Sequence, residues 1–503
     1  MKKYLIGLAS SLLLAASVAP TVYGESSFPI VEEPITLEYF VGKGPQNYQV
    51  DWNNDFEFWM NYEELTNVHV DWEQISSEAI EEQRNLVLVS GDYPDVFYNS
   101  GFTNSDLYRY GSQGVFLPLN DIIEEHAPNL SQILEEYPEV RAAITFPDGN
   151  IYGMPILQDG DHLSARAGAT PWISMEAIEA NGEGKPETTE DLYNYLTYVK
   201  ENLDGKIPLG APGIDYIVNY LAGSFGVMNN GGGNGPVDVD PETNEVRFYA
   251  TTDQYKEFLE YLNKLYSEQL IDPNIFTIQW NQYVANQNED VYSMFLFWGP
   301  DKSAVDEFSS KYTHLSAIEG PHGDKKYVNM ASMVINAGGF VLTSANENPE
   351  ASVQWVDYFF GKEGSLLFNT GVEGETFTYD ENGEIERIMK TDEIPYHLPS
   401  LGNNQGMFYK DTTETTPYIE EAMVDFEPVA ITPWATFTYT PEENDFLTTA
   451  GADIEKFVVE MRDQFISGQL SFEDWDQYVS TLESMGIEEY VQVKQAAYSR
   501  TQE

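Results

Sequence analysis

A chain of 503 residues, 42% of them hydrophobic, has a globular composition and enough length for two or more domains. Its 83 acidic residues against 25 basic ones give a formal charge of −58, spread along the chain rather than gathered in a tail. So acidic a surface repels polyanions, which argues against nucleic acid or an anionic membrane surface as a partner.

Residues 1–24 read as an export signal. Lys2 and Lys3 precede the apolar run Tyr4 to Ala16, and Val22-Tyr23-Gly24 places cleavage after Gly24. The run is too short for a membrane span. Leu14-Ala15-Ala16-Ser17 has the shape of a lipoprotein processing box, with Ser17 where the lipidated cysteine would stand. A hydroxyl cannot replace the thiolate, and the chain has no cysteine. The expectation is an exported protein, extracellular or associated with the cell surface, without disulfides and without a lipid anchor.

Ile35 to Phe40 alternates as a first strand, followed by a polar loop carrying Asp51, Trp52 and Asn53. Val68 to Trp72 is a second strand. Ala79 with Leu86, and Ile80 with Val87, make the stripe of a helix that Ser90-Gly91-Asp92 breaks. Val96-Phe97-Tyr98 then has strand composition, and its end places Tyr98 and Asn99 at a ligand edge. Asn120 and Asp121 lead into a short helix. Asp148-Gly149 makes a turn before an extended segment whose Pro155 argues against a central strand.

A second region begins at Trp172-Ile173-Ser174. Thr188 and Asp191 form a capping box ahead of Leu192, Leu196 and Val199. Val237 to Val246 reads as a hairpin. Tyr255, Phe258, Leu259 and Leu262 line a helix, and Val291 to Trp298 is an apolar strand. Gly338 to Leu342 is another strand, and Asn348 with Pro349 starts a helix. Thr440 and Glu443 form a second capping box. Ile454 to Phe465 is a long amphipathic helix stopped by Gly468. A last helical pair turns Trp475, Tyr478 and Leu482 inward. The end of the chain is all helix.

In order, Gly91-Asp92-Tyr93-Pro94-Asp95, Leu117-Pro118-Leu119-Asn120, Pro147 to Pro155, Asn348-Pro349-Glu350 with Trp355 to Phe359, and Gly371 to Gly374 resemble the blocks of family 1 extracellular solute-binding proteins of sugar ABC importers. The closing helices with Trp475, Asp476 and Tyr478 resemble the long-chain branch that contains alginate-oligosaccharide-binding proteins and Gram-positive lipoproteins. The resemblance runs from about residue 35 to the end.

It implies an α/β, two-lobed fold of the periplasmic-binding-protein type II kind with an all-helical C-terminal portion. Lobe 1 would hold 25–155 with 300–345, and lobe 2 would hold 156–299 with 346–503. The crossings would lie near Met154-Pro155, Trp298-Gly299-Pro300 and Thr343. It implies a sugar or oligosaccharide captured between the lobes by hinge closure and handed to permease subunits, by a monomer. It implies no cofactor. Glu201 to Leu209 stands where many members carry a calcium loop, but lacks the alternate oxygen ligands, so no metal is carried over.

A neutral sugar needs flat aromatic surface and planar polar groups in a concave site. Trp298, at the end of an apolar strand, and Trp434, in an irregular segment after Pro433, are the leading ligand contacts. Trp52, Asn53, Tyr98, Asn99, Trp172 and Glu373 complete the candidate set; for each, simple packing or turn formation is the alternative. A different class, an extracellular glycoside-active enzyme, would need two carboxylates about 5–10 Å apart. No local motif marks such a pair, and the six histidines are scattered without a zinc or serine-hydrolase pattern.

Overall fold

The structure is a computed structural model that describes residues 28–44, 50–158, 160, 163–297, 311–380, 383, 385–388, 408–409 and 417–502. Residues 1–24, expected to be an export signal, Trp298 and the crossing expected at Trp298-Gly299-Pro300 lie outside the described residues. The strands are, in chain order, β1 (Ile35–Lys43), β2 (Val68–Ser76), β3 (Val96–Tyr98), β4 (Met154–Gln158), β5 (Thr170–Ser174), β6 (Ile207–Gly210), β7 (Val237–Val239), β8 (Val246–Phe248), β9 (Tyr292–Phe297), β10 (Tyr312–His314), β11 (Val334–Leu342), β12 (Phe377–Tyr379), β13 (Ile385–Arg387) and β14 (Phe408–Tyr409).

Lobe 1 is built on a six-stranded sheet of order β14-β4-β11-β3-β1-β2. β1, β2 and β3 run parallel, and β11 runs against β3 and β4. Lobe 2 is built on a four-stranded sheet of order β10-β5-β9-β6, and the expected hairpin is β7–β8. Each lobe closes its own core: Tyr39, Phe97, Leu130, Phe340 and Trp355 belong to one, and Leu196, Leu221, Phe258, Leu296 and Phe465 to the other.

Local signals set the helix ends. Thr188 and Thr440 each accept a hydrogen bond from the third residue of the following helix, and that residue's carboxylate accepts from the capping amide in return. Gly468 ends the long helix Ala452–Ser467 in the left-handed conformation that glycine adopts without strain. Asn348 precedes Pro349 as expected, but its side chain does not cap the helix; its backbone N–H donates to Asn346 instead. In the helix Ile80–Ser90 the inward residues are Arg84 and Leu88, while Leu86 of the expected stripe is exposed.

Pro155 does sit in an internal strand, contrary to expectation. β4 lies between β14 and β11, but the ladder passes over Pro155: Met154 pairs with Phe340 and Ile156 with Asn336, leaving a bulge at Ala337-Gly338-Gly339. A residue without an N–H is tolerated where the ladder is already interrupted. Gly339 fits there because a Cβ on it would come within 2.6 Å of the Ile156 side chain.

The lobe boundaries also differ from those expected. Residues 312–330 belong to lobe 2, since β10 pairs with β5 and Leu315, Ile318, Tyr327 and Met330 enter that core. Residues 346–379 do not belong to lobe 2. Val353, Trp355, Phe359 and Phe368 pack in the core of lobe 1. The first crossing follows Gln158, the last residue of β4, rather than Met154-Pro155. The next lies between Met330 and Met333, which sit in different cores. Thr343 is no crossing: it is buried in lobe 1 and its hydroxyl donates to the Pro94 carbonyl at 2.5 Å. The chain passes again from lobe 1 to lobe 2 between β14 and the helix Pro417–Phe426, whose Ala422 and Phe426 are buried in lobe 2.

Candidate functional site

The crossings fix which sheet edges face each other. β4 leaves lobe 1, and β11 enters it, at the edge where β1, β2 and β3 end. After the first crossing, the first strand of lobe 2 begins at Thr170, which pairs with Phe297 at the carboxyl end of β9. β6 runs parallel to β9, so Gly210 ends on the same edge. The carboxyl ends of both sheets therefore border the interlobe space, the place where open α/β sheets take their ligands.

The rim of lobe 1 is a polar network. Lys43, buried at the end of β1, donates to the Val50 carbonyl at 2.5 Å and to Gln74 Oε1 at 2.9 Å. Gln74 Nε2 donates to Asp51 at 2.7 Å, and Asn54 does the same at 2.7 Å. Those bonds, with the Asn53 amide and the Lys43 charge, hold the Asp51 carboxyl below its ordinary range. Burial pulls the Lys43 ammonium down, against the attraction of Asp51.

Next to it, Asn99 follows β3 with φ +47°, a left-handed conformation that asparagine tolerates better than most residues. Its N–H donates to the Gly339 carbonyl at 2.7 Å. Its own carbonyl would lie 2.9 Å from any Cβ at position 42, which requires glycine there. Beneath this turn Arg84 is buried, donates to the carbonyls of Ser100 and Gly101, and lies 4.7 Å from the Phe102 ring.

The structure separates the expected site residues. Asn99 lies half-buried on the rim of lobe 1. Asn53 is close by, but its amide is tied to the Trp72 backbone, accepting its N–H at 2.8 Å and donating to its carbonyl at 3.1 Å. Trp52, Tyr98 and Trp172 present no aromatic surface to the space between the lobes. Trp52 is packed among Phe56, Trp59 and Trp72, and Tyr98 against Trp72 and Phe340. Trp172 is buried in β5 beside β9, with its indole N–H donating to the Phe297 carbonyl at 3.0 Å. The packing alternative describes these three.

Glu373 is exposed, on a turn of lobe 1 where Gly374 and Phe377 are joined backbone to backbone. Trp434 is half-buried against the core of lobe 2. Its ring lies 5.1 Å from Phe437 and 4.9 Å from Tyr498. It lines a cavity of about 300 Å³ with Ala143 of lobe 1, Asn230 of lobe 2 and Met333 of the crossing segment. That cavity shares no residue with the network of Lys43, Asp51 and Asn99.

One aromatic residue escaped the sequence reading. Trp280 opens the helix Trp280–Asn288, is 52% exposed, and lies 5.6 Å from Phe297 at the carboxyl end of β9. A signal was there: a lone tryptophan among Gln279, Asn281 and Gln282, off any apolar stripe. In the turn Leu203 to Lys206, where the calcium loop would stand, Lys206 forms an ion pair with Asp290 at 3.1 Å.

The sequence model of the bacterial extracellular solute-binding proteins matches residues 42–365, and the chain belongs to that family. The fructooligosaccharide ABC transporter substrate-binding protein FusA of Streptococcus pneumoniae serotype 4 is 27% identical over 516 residues, which cover 95% of this chain and 92% of that protein. A solved structure of S. pneumoniae FusA in complex with kestose aligns with a TM-score of 0.72 at 25% identity, over 93% of this chain and 99% of that one. A solute-binding protein from Bifidobacterium longum infantis, associated with an HMO-binding ABC transporter, has the same fold. Its TM-score is 0.76 at 20% identity, over 93% of this chain and 99% of that one. Among the described residues no helix is long and apolar enough to cross a membrane.

Proposed function

We propose that this protein captures a neutral oligosaccharide outside the cell and delivers it to the permease of an ABC importer. The observation that carries the reading is the pair of carboxyl sheet edges facing each other across the crossings, with the amide-rich rim of Asp51, Gln74 and Asn99 on one side. The similarity to FusA over nearly the whole of both chains supports the class of ligand. Binding is reversible, by closure at the crossings, and no covalent step is involved. Asn99 contacts the ligand from lobe 1, and Trp298 and Trp434 are further ligand contacts. The chain works as a monomer, without nucleic acid. Residues 1–24 direct its export, and Ser17 stands where a lipidated cysteine would be.

Calorimetry against fructo-, malto- and human-milk-type oligosaccharides tests this, with product analysis on the same samples. Micromolar or tighter binding with the glycan recovered intact is the expected result. Turnover of any glycan refutes the binding-only reading, and failure to bind every one refutes the sugar.

A further inference from the structure

Of the nine tryptophans, eight lie in the described residues. Trp52, Trp59, Trp72, Trp172, Trp355 and Trp475 are buried, and Trp434 is half-buried among Phe437 and Tyr498. Trp280 alone among them is more exposed than buried. An indole left in water forgoes a large burial gain, so a fixed, exposed one on a ligand-facing edge marks a contact surface.

Trp280 is fixed. Its ring rests on Phe297 at 5.6 Å and 34°, and on Tyr283 at 6.1 Å and 40°. Tyr283 is buried and its hydroxyl donates to the Leu296 carbonyl at 2.8 Å, so the floor under the indole is a buried aromatic cluster with Phe295, Phe297 and Tyr312 on the lobe 2 sheet. The ring therefore offers one face outward, beside the carboxyl end of β9.

The surroundings are as selective as the ring. From Asn274 to Asn288 the chain carries no charged residue, although acids crowd the rest of the sequence. Gln279, Asn281 and Gln282 are exposed around Trp280. Planar amides donate and accept at once, as a ring of hydroxyls requires, and an indole covers the C–H face of a pyranose or furanose. Both features suit a neutral sugar and neither suits an ion.

We propose that Trp280, seated on Phe297 and flanked by these amides, is an outer platform that stacks a sugar unit beyond those held between the rims. The platform makes the protein prefer longer oligosaccharides over mono- and disaccharides. This rests on the function proposed above and adds the length preference to it.

The test measures wild type, Trp280→Ala and Trp280→Phe by calorimetry against fructooligosaccharides and maltooligosaccharides of two to five units. In the series that binds, Trp280→Ala weakens affinity for four and five units roughly tenfold, about 1.4 kcal/mol. It changes the disaccharide less than about twofold, and Trp280→Phe keeps most of the length preference, since a flat ring remains. Unaltered thermal melting confirms that the half-exposed side chain can be removed without loss of fold.

A wild-type length preference that Trp280→Ala leaves intact overturns the platform and spares the sugar reading. Equal weakening at every length overturns it too, as does unchanged affinity with transport lost, which would make the surface a permease contact. A wild type that binds no member of either series overturns both readings together.

Discussion

Trp52 separates a core role from a ligand role. It follows Asp51 on the rim of lobe 1, yet it is 1% exposed. Its ring lies 5.0 Å from Trp72, 5.3 Å from Phe56 and 5.8 Å from Trp59. Trp52→Ala removes the ring from a close-packed aromatic cluster and leaves a cavity that Trp59 and Trp72 cannot fill without moving. Substitutions of this kind cost about 3–5 kcal/mol. Three aromatic neighbours, each worth roughly 0.5–1.5 kcal/mol beyond burial, place this one toward the upper end. Against a total stability of about 5–15 kcal/mol, the variant folds in the cold but unfolds at a much lower urea concentration.

Trp52→Phe is the control. The indole N–H is buried with no hydrogen-bond partner among the described residues, so its removal breaks no hydrogen bond. The loss should be about 1 kcal/mol. Urea unfolding followed by far-ultraviolet circular dichroism gives the stabilities, and calorimetry well below the midpoint gives the affinity. The reasoning requires a large drop in midpoint with affinity for the ligand changed less than about threefold, under 0.7 kcal/mol. An unchanged midpoint with a tenfold or greater loss of affinity would refute it and make Trp52 a sugar contact.

Arg247 holds the fully buried Asp238 by two bonds, at 2.6 and 3.1 Å. Arg247→Met leaves that carboxylate without its charge partner and should lower the unfolding free energy by about 3–5 kcal/mol, recovered in part by adding Asp238→Asn. Burial pushes the Asp357 carboxyl up to about 7, against hydrogen bonds from Leu130 and Asn129. The folded protein therefore keeps a proton that the unfolded chain releases near pH 4. Its contribution is full below pH 4 and is lost as pH rises through 7, by up to about 1.4 kcal/mol per unit. The difference in stability between wild type and Asp357→Asn should change across that window, and a constant difference would count against it. With a formal charge of −58, the urea midpoint should rise as sodium chloride goes from about 0.01 to 1 M, because screening shortens from about 30 to 3 Å. A flat midpoint would mean that the acids do not repel one another measurably.

What could be read in the sequence was local. The capping boxes at Thr188 and Thr440 and the stop at Gly468 depend on residues three or four apart, and each formed where expected. The ordered motifs carried the two-lobed fold. The lobe to which a segment belongs was hidden, because it depends on strand pairing across long separations. β10 pairs with β5 some 140 residues earlier, and Trp355 meets Tyr39 across more than 300. The same holds for the site. Trp52 and Trp280 both stand among polar residues in irregular or helix-opening sequence. Whether Phe56, Trp59 and Trp72 close over one, or Phe297 merely supports the other, is settled only by the assembled lobes.

The few cations bear on the neutral ligand proposed above. Lys43, Arg84 and Lys494 are buried, and Arg247 and Arg500 are bound to Asp238 and Glu443. Lys494 lies between Glu455 and Tyr439, and burial pulls its ammonium down. These five cations are taken up by carbonyls and carboxylates, and the cations that stay exposed, such as Lys311 and Lys456, are outnumbered by acids. On the described rim of lobe 1 the two cations, Lys43 and Arg84, already donate to the carbonyls of Val50, Ser100 and Gly101. A uronate entering there would meet the repulsion of the surface without a free charged donor to offset it. Oligogalacturonate should bind at least about tenfold more weakly than a neutral oligosaccharide of equal length, a difference of about 1.4 kcal/mol. The gap should shrink as salt rises, because its origin is long-range charge. A gap that persists at about 1 M salt would place discrimination in the shape of the site instead. Tighter binding of the uronate would mean that cations outside the described residues line the cleft.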